Sequence, residues 1–352
     1  MPIFDQGYQH WSGQLTGHAW RWLAITRHGL RVTTSGWAIK LVLFAAAMPA
    51  IVLAFALSLW GLLERNSDAI TTFLPFLGFL DPEILAGPRP FREVIWTLSY
   101  SIFLWVEMFF AMLLILLAGP NLISQDLRYN AFPLYFSRPL RRIDYFAGKL
   151  GVIVALLGAV MIVPSVIAYV LGMLFSLDVT ILRDTFGILL AAIAYGLVIA
   201  VSAGTLILAL SSLSRNSRYV ALMWVGMWIV TGAVSGILQI AYDEDRDHRA
   251  HQVARGVEAE PPVDERTASK HNWRPLLSYQ ANLQRIGQAL LASDAAWEKL
   301  AQLNPSPQRS REFENVRGPL YPWYWSAAVL LALFGLSVCT LNFTIKSLDR
   351  LK

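Results

Sequence analysis

Residues 119–149 read GPNLISQDLRYNAFPLYFSRPLRRIDYFAGK, a basic segment set between two long apolar runs. It carries Arg128, Arg138, Arg141, Arg142 and Lys149 against only Asp126 and Asp144. Loops on the cytoplasmic side of a membrane are enriched in Lys and Arg, so this balance assigns the segment to the cytoplasm. Its first part, from Ile123 to about Tyr135, has the spacing of a short amphipathic helix. Leu122, Asp126 and Tyr129 fall near one face, with Ser124, Arg128 and Asn130 elsewhere. Pro133 and Pro139 break it, and Arg141-Arg142 leads back into an apolar run. A short, stiff helix held between two membrane helices is suited to receiving a push from a soluble partner.

The surrounding composition supports a membrane setting. Of 352 residues, 55% are hydrophobic and 15% charged, well below the roughly 25% charged residues of soluble domains. The net charge of +5 does not point to nucleic acid, because the basic residues sit at the ends of apolar runs and form no separate basic domain. The single cysteine, Cys339, lies inside an apolar run, which excludes an internal disulfide and a thiol metal site. The first apolar run begins near Trp37 and exceeds the ~7–15 residue core of a cleavable signal, so it is expected to stay in the membrane.

Six runs are long enough to cross a hydrocarbon core of about 30 Å. They fall at about 38–63, 94–118, 150–176, 185–211, 218–241 and 322–345. An even number places both termini on one side. The segments on that side hold fourteen basic residues against four acidic ones, whereas the connections 64–93 and 177–184 are richer in acid. Both termini are therefore expected in the cytoplasm of a multi-pass protein of the inner (plasma) membrane. Trp60, Trp96, Tyr321, Trp323, Tyr324 and Trp325 cluster at the opposite boundary as an aromatic belt.

The fold class expected is an all-α membrane protein with six transmembrane helices, an N-terminal interfacial helix, a cytoplasmic coupling helix and a helical outer insert between spans 5 and 6. In residues 1–36, tryptophans and arginines interleave over Gly17 to Thr33 as in a helix lying at the inner interface. Residues 37–241 hold the first five spans and the 119–149 loop; 242–321 form an extracytoplasmic insert; 322–352 form the last span and a cytoplasmic tail. Phe73 to Leu80 is apolar but too short to span. In the third span Gly151, Ala155 and Gly158 make a packing surface and Pro164 a kink, while Gly232 and Gly236 repeat the small-residue spacing in the fifth. In the insert, Leu276, Tyr279, Leu283, Ile286, Leu290, Trp297 and Leu300 recur at helical steps, with a break expected near Ser293.

The pattern G-x-x-L-I-S-x-D-L-R-x-N-A, followed by L-Y-F-S-R-P-L-R-R-x-D-Y and G-K, resembles the cytoplasmic loop of ATP-binding-cassette (ABC) type-2 exporter permeases. The resemblance is sharpest over Gly119 to Lys149, and the hydropathy layout carries it over the whole chain. It implies that the loop is a coupling helix docking on a separate ABC ATPase subunit. By position, Ser124, Gln125, Asp126, Leu127, Arg128 and Asn130 would form the docking face, and Ser137, Arg138 and Pro139 the joint to the next helix. The implied assembly has two permease subunits, alike or different, and two ATPase subunits. ATP and Mg would be held by the partner, with no cofactor in this chain. A plainer reading gives the basic residues the task of fixing topology and binding anionic headgroups.

No phosphate loop is present: Gly148-Lys149 is followed by Leu150, and Ile143 stands where the motif needs its first glycine. The chain itself is thus expected to have no ATPase activity. Glu107 is the one ionisable residue deep in an apolar run, about 20 Å into the second span. It is a candidate for contact with a cargo cation or hydroxyl, for a proton-linked switch, or for a structural hydrogen bond. Glu244, His248 and His251 share a face if their segment is helical, a weak candidate for a divalent metal. Two further readings stay open: an ion-coupled secondary carrier using Glu107, and a non-transporting scaffold whose insert binds an extracytoplasmic partner. The cargo is not encoded in this layout.

Overall fold

The computed structural model describes residues 20–65, 84–85, 87–132, 135, 140–176, 178, 180–254, 272–303 and 321–349. Among them every regular element is helical. An N-terminal helix, α1 (Arg21–Thr34), precedes span 1, α2 (Trp37–Glu64). Span 2 is α3 (Arg92–Ala118), followed by the short α4 (Pro120–Arg128). Span 3 consists of α5 (Arg142–Leu157), a π turn (Gly158–Ile162) and α6 (Val163–Ser176). Spans 4 and 5 are α7 (Thr180–Leu213) and α8 (Ser217–Ala254). Two helices of the insert, α9 (Tyr279–Leu291) and α10 (Ser293–Leu303), lead to span 6, α11 (Trp323–Asp349). Among the described residues, six helices are long and apolar enough to cross a membrane. The Phe73 to Leu80 segment lies outside the described residues.

Spans 2 and 4 form the centre. Span 4 buries Ala192, Gly196, Ala200, Ala203 and Gly204, small residues that let neighbouring helices approach closely. Spans 1, 5 and 6 surround them and leave most of their apolar surface facing outward. The end of the bundle that carries α4 is the near end below, and the other the far end.

Span 3 begins at Arg142, eight residues before its apolar run. Its first turn is closed from within by Asp144, whose Oδ2 accepts from the Arg141 N–H at 3.2 Å. An acid in the first turn also favours the helix dipole. The kink expected at Pro164 is preceded by the π turn. A proline at 164 has no N–H for the carbonyl one turn earlier, and an extra residue in the turn takes up the mismatch. Gly151 packs against the N-terminal helix: a Cβ there would lie 2.5 Å from Thr26 Oγ1, and Thr26 Oγ1 donates to Gly148 O at 2.9 Å. Gly158, Gly232 and Gly236 have no such close neighbour.

The insert departs most from expectation. Span 5 runs on as a helix to Ala254, past the boundary expected at 241, and residues 272–303 pack into the bundle. Asn272 Nδ2 donates to Gln239 Oε1 at 2.9 Å, Ser235 Oγ to Arg274 O at 3.1 Å, and Trp228 Nε1 to Gln280 Oε1 at 2.7 Å. These contacts trace a descent along span 5. At the bottom, Tyr279 meets Trp224 edge-on at 6.3 Å, and its hydroxyl lies 3.0 Å from Ser202 Oγ. From there α9 climbs beside span 4 until Gly287 faces the Tyr195 ring. Ser202 is about 33 Å along span 4 from Thr180, so α9 starts deep between the helices. The break expected near Ser293 falls at Ala292, which takes the left-handed conformation (φ 51°). Beyond it, α10 rests on Val94 and Leu98 of span 2.

The far ends of spans 1 to 4 are joined by Arg92. Its guanidinium meets Glu64 at 2.7 Å, Asp178 at 2.9 Å and Asp184 at 3.0 Å. Glu64 also accepts from Trp60 Nε1 at 2.6 Å and from Ser176 Oγ at 3.2 Å. The Asp178 carboxyl is held down to about 2, first by the Thr180 hydroxyl and amide and then by Arg92. Sequence reading used these charges only to assign sides; the structure makes them a clamp.

Candidate coupling site between spans 2 and 3

The site starts at Gly119, where span 2 ends and α4 begins. A side chain at 119 would run into Ile207 of span 4, so only glycine allows this approach. Pro120 follows at the first helical position, where its missing N–H costs nothing. The first N–H groups of a helix have no partner within it. Here span 4 supplies one: Ser211 Oγ accepts from the amides of Ile123 (3.1 Å) and Ser124 (3.0 Å) and donates to Pro120 O at 2.9 Å. One hydroxyl thus uses its full donor and acceptor capacity on a single turn.

The other end of α4 closes with a left-handed residue. Asn130 has φ 51°, the Ala131 N–H donates to Asp126 O at 2.9 Å, and the Asn130 N–H to Leu127 O at 3.4 Å. This is the paired-bond C-terminal motif that glycine or asparagine permits. The helix therefore covers Pro120–Arg128 instead of Ile123 to about Tyr135. Proline starts it early and Asn130 stops it before Pro133 is reached.

Between these ends, Asp126 Oδ2 accepts from Tyr145 Oη at 2.6 Å and pairs with Lys149 Nζ at 2.8 Å. Tyr145 is fully buried, with Phe132 and Tyr135 rings at 5.5 and 5.4 Å. Burial, and after it the Asp126 carboxylate, raise the Tyr135 phenol above its ordinary 10.0. Lys149 also lies over the Tyr145 ring at 5.5 Å. The short helix is thus fixed to span 2 through the chain, to span 4 by Ser211 and to span 3 by Asp126.

This arrangement sorts the residues expected on the docking face. Ser124 is fully buried and donates to Pro120 O, so it faces the bundle and not a partner. Asp126 turns toward span 3, and Leu127 is half-buried. Gln125, Arg128 and Asn130 are exposed, as are Asn121 and Tyr129, which sequence reading did not select. Asn121, Gln125 and Arg128 lie at i, i+4 and i+7, one stripe of the helix. Ser137, Arg138 and Pro139 lie outside the described residues. Ser211 and Tyr145 had no signal in the sequence, because their roles arise from contacts 87 and 19 residues away.

Glu107 is fully buried in span 2, and neither carboxylate oxygen has a hydrogen-bond partner among the described residues. It lies seven residues from Tyr100, on the same face, and Tyr100 donates to Ser165 O of span 3 at 2.8 Å. Spans 2 and 3 are antiparallel, so seven residues back from Ser165 brings Glu107 level with Gly158, where the π turn begins. Glu244 and His248 sit exposed on the extension of span 5, while the His251 side chain lies outside the described residues. Among the described residues no group of three His, Cys, Asp or Glu side chains is placed to hold a metal.

Among the described residues, six long apolar helices with a short amphipathic helix locked across the ends of three of them give the layout of a multi-pass membrane protein. Residues 32–348 match the family model described as ABC-2 family transporter protein, and the chain belongs to that family. It is an ABC permease-type membrane protein. No curated protein matches the chain.

Proposed function

We propose that the chain is the permease subunit of an ABC type-2 exporter, driven by a separate ATPase subunit that docks on the exposed stripe of α4. The observation that carries this reading is the two-sided character of that helix. One side is tied to spans 3 and 4 through Asp126 and Ser211, and the other presents Asn121, Gln125, Arg128 and Tyr129 outward. A push on the stripe then moves three spans together, the kind of rigid-body shift that changes access in transporters. In the full assembly two permease subunits and two ATPase subunits enclose the cargo path. ATP and Mg belong to the ATPase subunits, and the near end is the cytoplasmic one.

Copurification tests the reading. The double substitution Gln125→Glu with Arg128→Glu, which adds one negative charge and reverses one positive charge, is expected to abolish capture of the ATPase subunit and cargo-stimulated ATP turnover while leaving the folded permease intact. Retained ATPase capture and turnover in that variant would remove the basis for docking on α4.

Within this reading, Glu107 is the polar contact for cargo or for a proton that moves with it. Its two oxygens lack partners among the described residues, and a carboxylate in such a place is costly unless a partner arrives. Glu107→Gln is expected to preserve assembly with the ATPase and to change transport alone. Transport driven by a proton gradient without ATP, abolished by the same substitution, would favour an ion-coupled carrier instead.

A further inference from the structure

We propose that a groove between spans 1 and 3 holds one acyl chain of an anionic phospholipid, with the headgroup placed against Lys40. The groove has a volume of about 410 Å³ and an entirely apolar lining, in which Ala46, Ala47, Ala50 and Ala54 of span 1 face Ala159 and Pro164 of span 3. It exists because the two spans meet closely only at their far ends. There a Cβ at Gly61 would lie 2.8 Å from Ser176 N, and one at Gly172 would lie 3.0 Å from Leu57 Cβ. Toward the near end the π turn and Pro164 redirect span 3, Pro49 interrupts the ladder of span 1, and alanines leave the space unfilled.

The dimensions select the occupant. From Leu43 to Ala54 the groove follows span 1 for about 16 Å, so 410 Å³ gives a cross-section of about 25 Å². A helix about 10–12 Å across with its side chains needs more than three times that area. A single hydrocarbon chain fits, whereas a second protein helix does not. Ile51 of span 1 and Ile167 of span 3, which line the groove from either side, are exposed and apolar, as expected of a surface facing lipid. The same face of span 1, read back by one turn from Leu43, brings up Lys40, which is exposed at the near end. A cationic mouth leading to a narrow apolar slot fits a lipid with a negative headgroup.

The test uses the full chain in vesicles of phosphatidylglycerol and phosphatidylcholine in equal parts, followed by intact-mass measurement after gentle extraction. The wild type is expected to retain one phosphatidylglycerol per chain. Ala47 is exposed in the groove, so Ala47→Trp fills it without disturbing the core, and retention should fall at least tenfold. Lys40→Gln should keep a lipid and lose the preference for phosphatidylglycerol. The control Leu331→Trp, on the exposed side of span 6, should behave as wild type. Equal retention in Ala47→Trp and the control, or oxidative linkage of two chains through Ala47→Cys, overturns the proposal; an unchanged preference in Lys40→Gln overturns the headgroup assignment.

Discussion

Asp126 and Lys149 form an ion pair of 2.8 Å that fastens α4 to the second turn of span 3. Tyr145 donates to the same carboxylate oxygen at 2.6 Å, so one atom collects both contacts. Asp126→Asn keeps the size and removes the charge. It is expected to lower stability by about 1–3 kcal/mol, the range for a hydrogen bond to a charged group in a partly buried site. Thermal unfolding in detergent gives the number. Combining Asp126→Asn with Lys149→Met should cost less than the sum of the two, because each alone strands the other's partner.

Ser211→Ala removes the side chain that, among the described residues, accepts from the Ile123 and Ser124 amides of α4. A lost N-terminal cap costs about 0.5–2 kcal/mol. Hydrogen exchange should show faster exchange at the Ile123 and Ser124 amides, with the rest of span 4 unchanged. Ser211→Thr keeps the hydroxyl and should restore protection. Equal exchange in wild type and Ser211→Ala would show that the cap is not formed in solution.

Arg92 neutralises a group of three carboxylates from two spans and the connection between spans 3 and 4. Arg92→Leu leaves Glu64 buried without its counter-charge, and such losses cost about 3–5 kcal/mol. The variant is expected to unfold at a markedly lower temperature. Glu64→Gln in the same chain should recover part of the loss by removing the stranded charge.

The low folded-state value of Asp178, about 2 against an ordinary 3.8, sets a pH dependence. A carboxyl whose folded-state value is depressed contributes stability above its unfolded value and loses it as pH falls through the folded one. The melting temperature of Asp178→Asn should therefore sit below that of wild type by a constant amount from pH 8 to about pH 5. The two should converge as the pH is lowered from about 4 to about 2. A gap that persists unchanged at the acid end would mean that the Asp178 charge contributes nothing.

Gly287 permits α9 to pass the Tyr195 ring, since a Cβ there would lie 2.6 Å from its Cζ. Gly287→Leu adds bulk against a buried aromatic ring and should unseat α9, at a cost of about 1–3 kcal/mol. Limited proteolysis at the far end would report the release as faster cleavage within 272–303. The smaller change Trp228→Phe loses the hydrogen bond to Gln280 and trims the ring that packs on Phe109, and should have a milder effect, about 0.5–1.5 kcal/mol.

The spans were legible in the sequence because apolar run length is a local property that a membrane imposes directly. Their ends were less so. Span 3 starts among charged residues because Asp144 caps it by accepting from the Arg141 amide, and span 5 continues through Asp243 to His251 because those polar residues tolerate a helix. The position of the short helix in the 119–149 loop was readable, but its two faces were not. Hydrophobic spacing says that a face is buried without saying by what, and the partners of Asp126 and Ser124 come from spans 3 and 4. For the same reason the period of Tyr279, Leu283 and Ile286 announced an amphipathic helix, while its seat inside the bundle depended on Trp224, Trp228 and Ser202. Glu107 stood out at once, since a lone acid in an apolar run needs no tertiary information to be noticed.

The depth reached by α9 also constrains how any passage opens at the far end. With Tyr279 lodged between Trp224 and Ser202, and Gly287 pressed on Tyr195, the chain carries its own stopper. Until α9 lifts, the space between Trp224 of span 5 and Ser202 of span 4 stays filled by Tyr279. Because it grips spans 4 and 5, a stroke that parts those two helices draws the cork in the same movement.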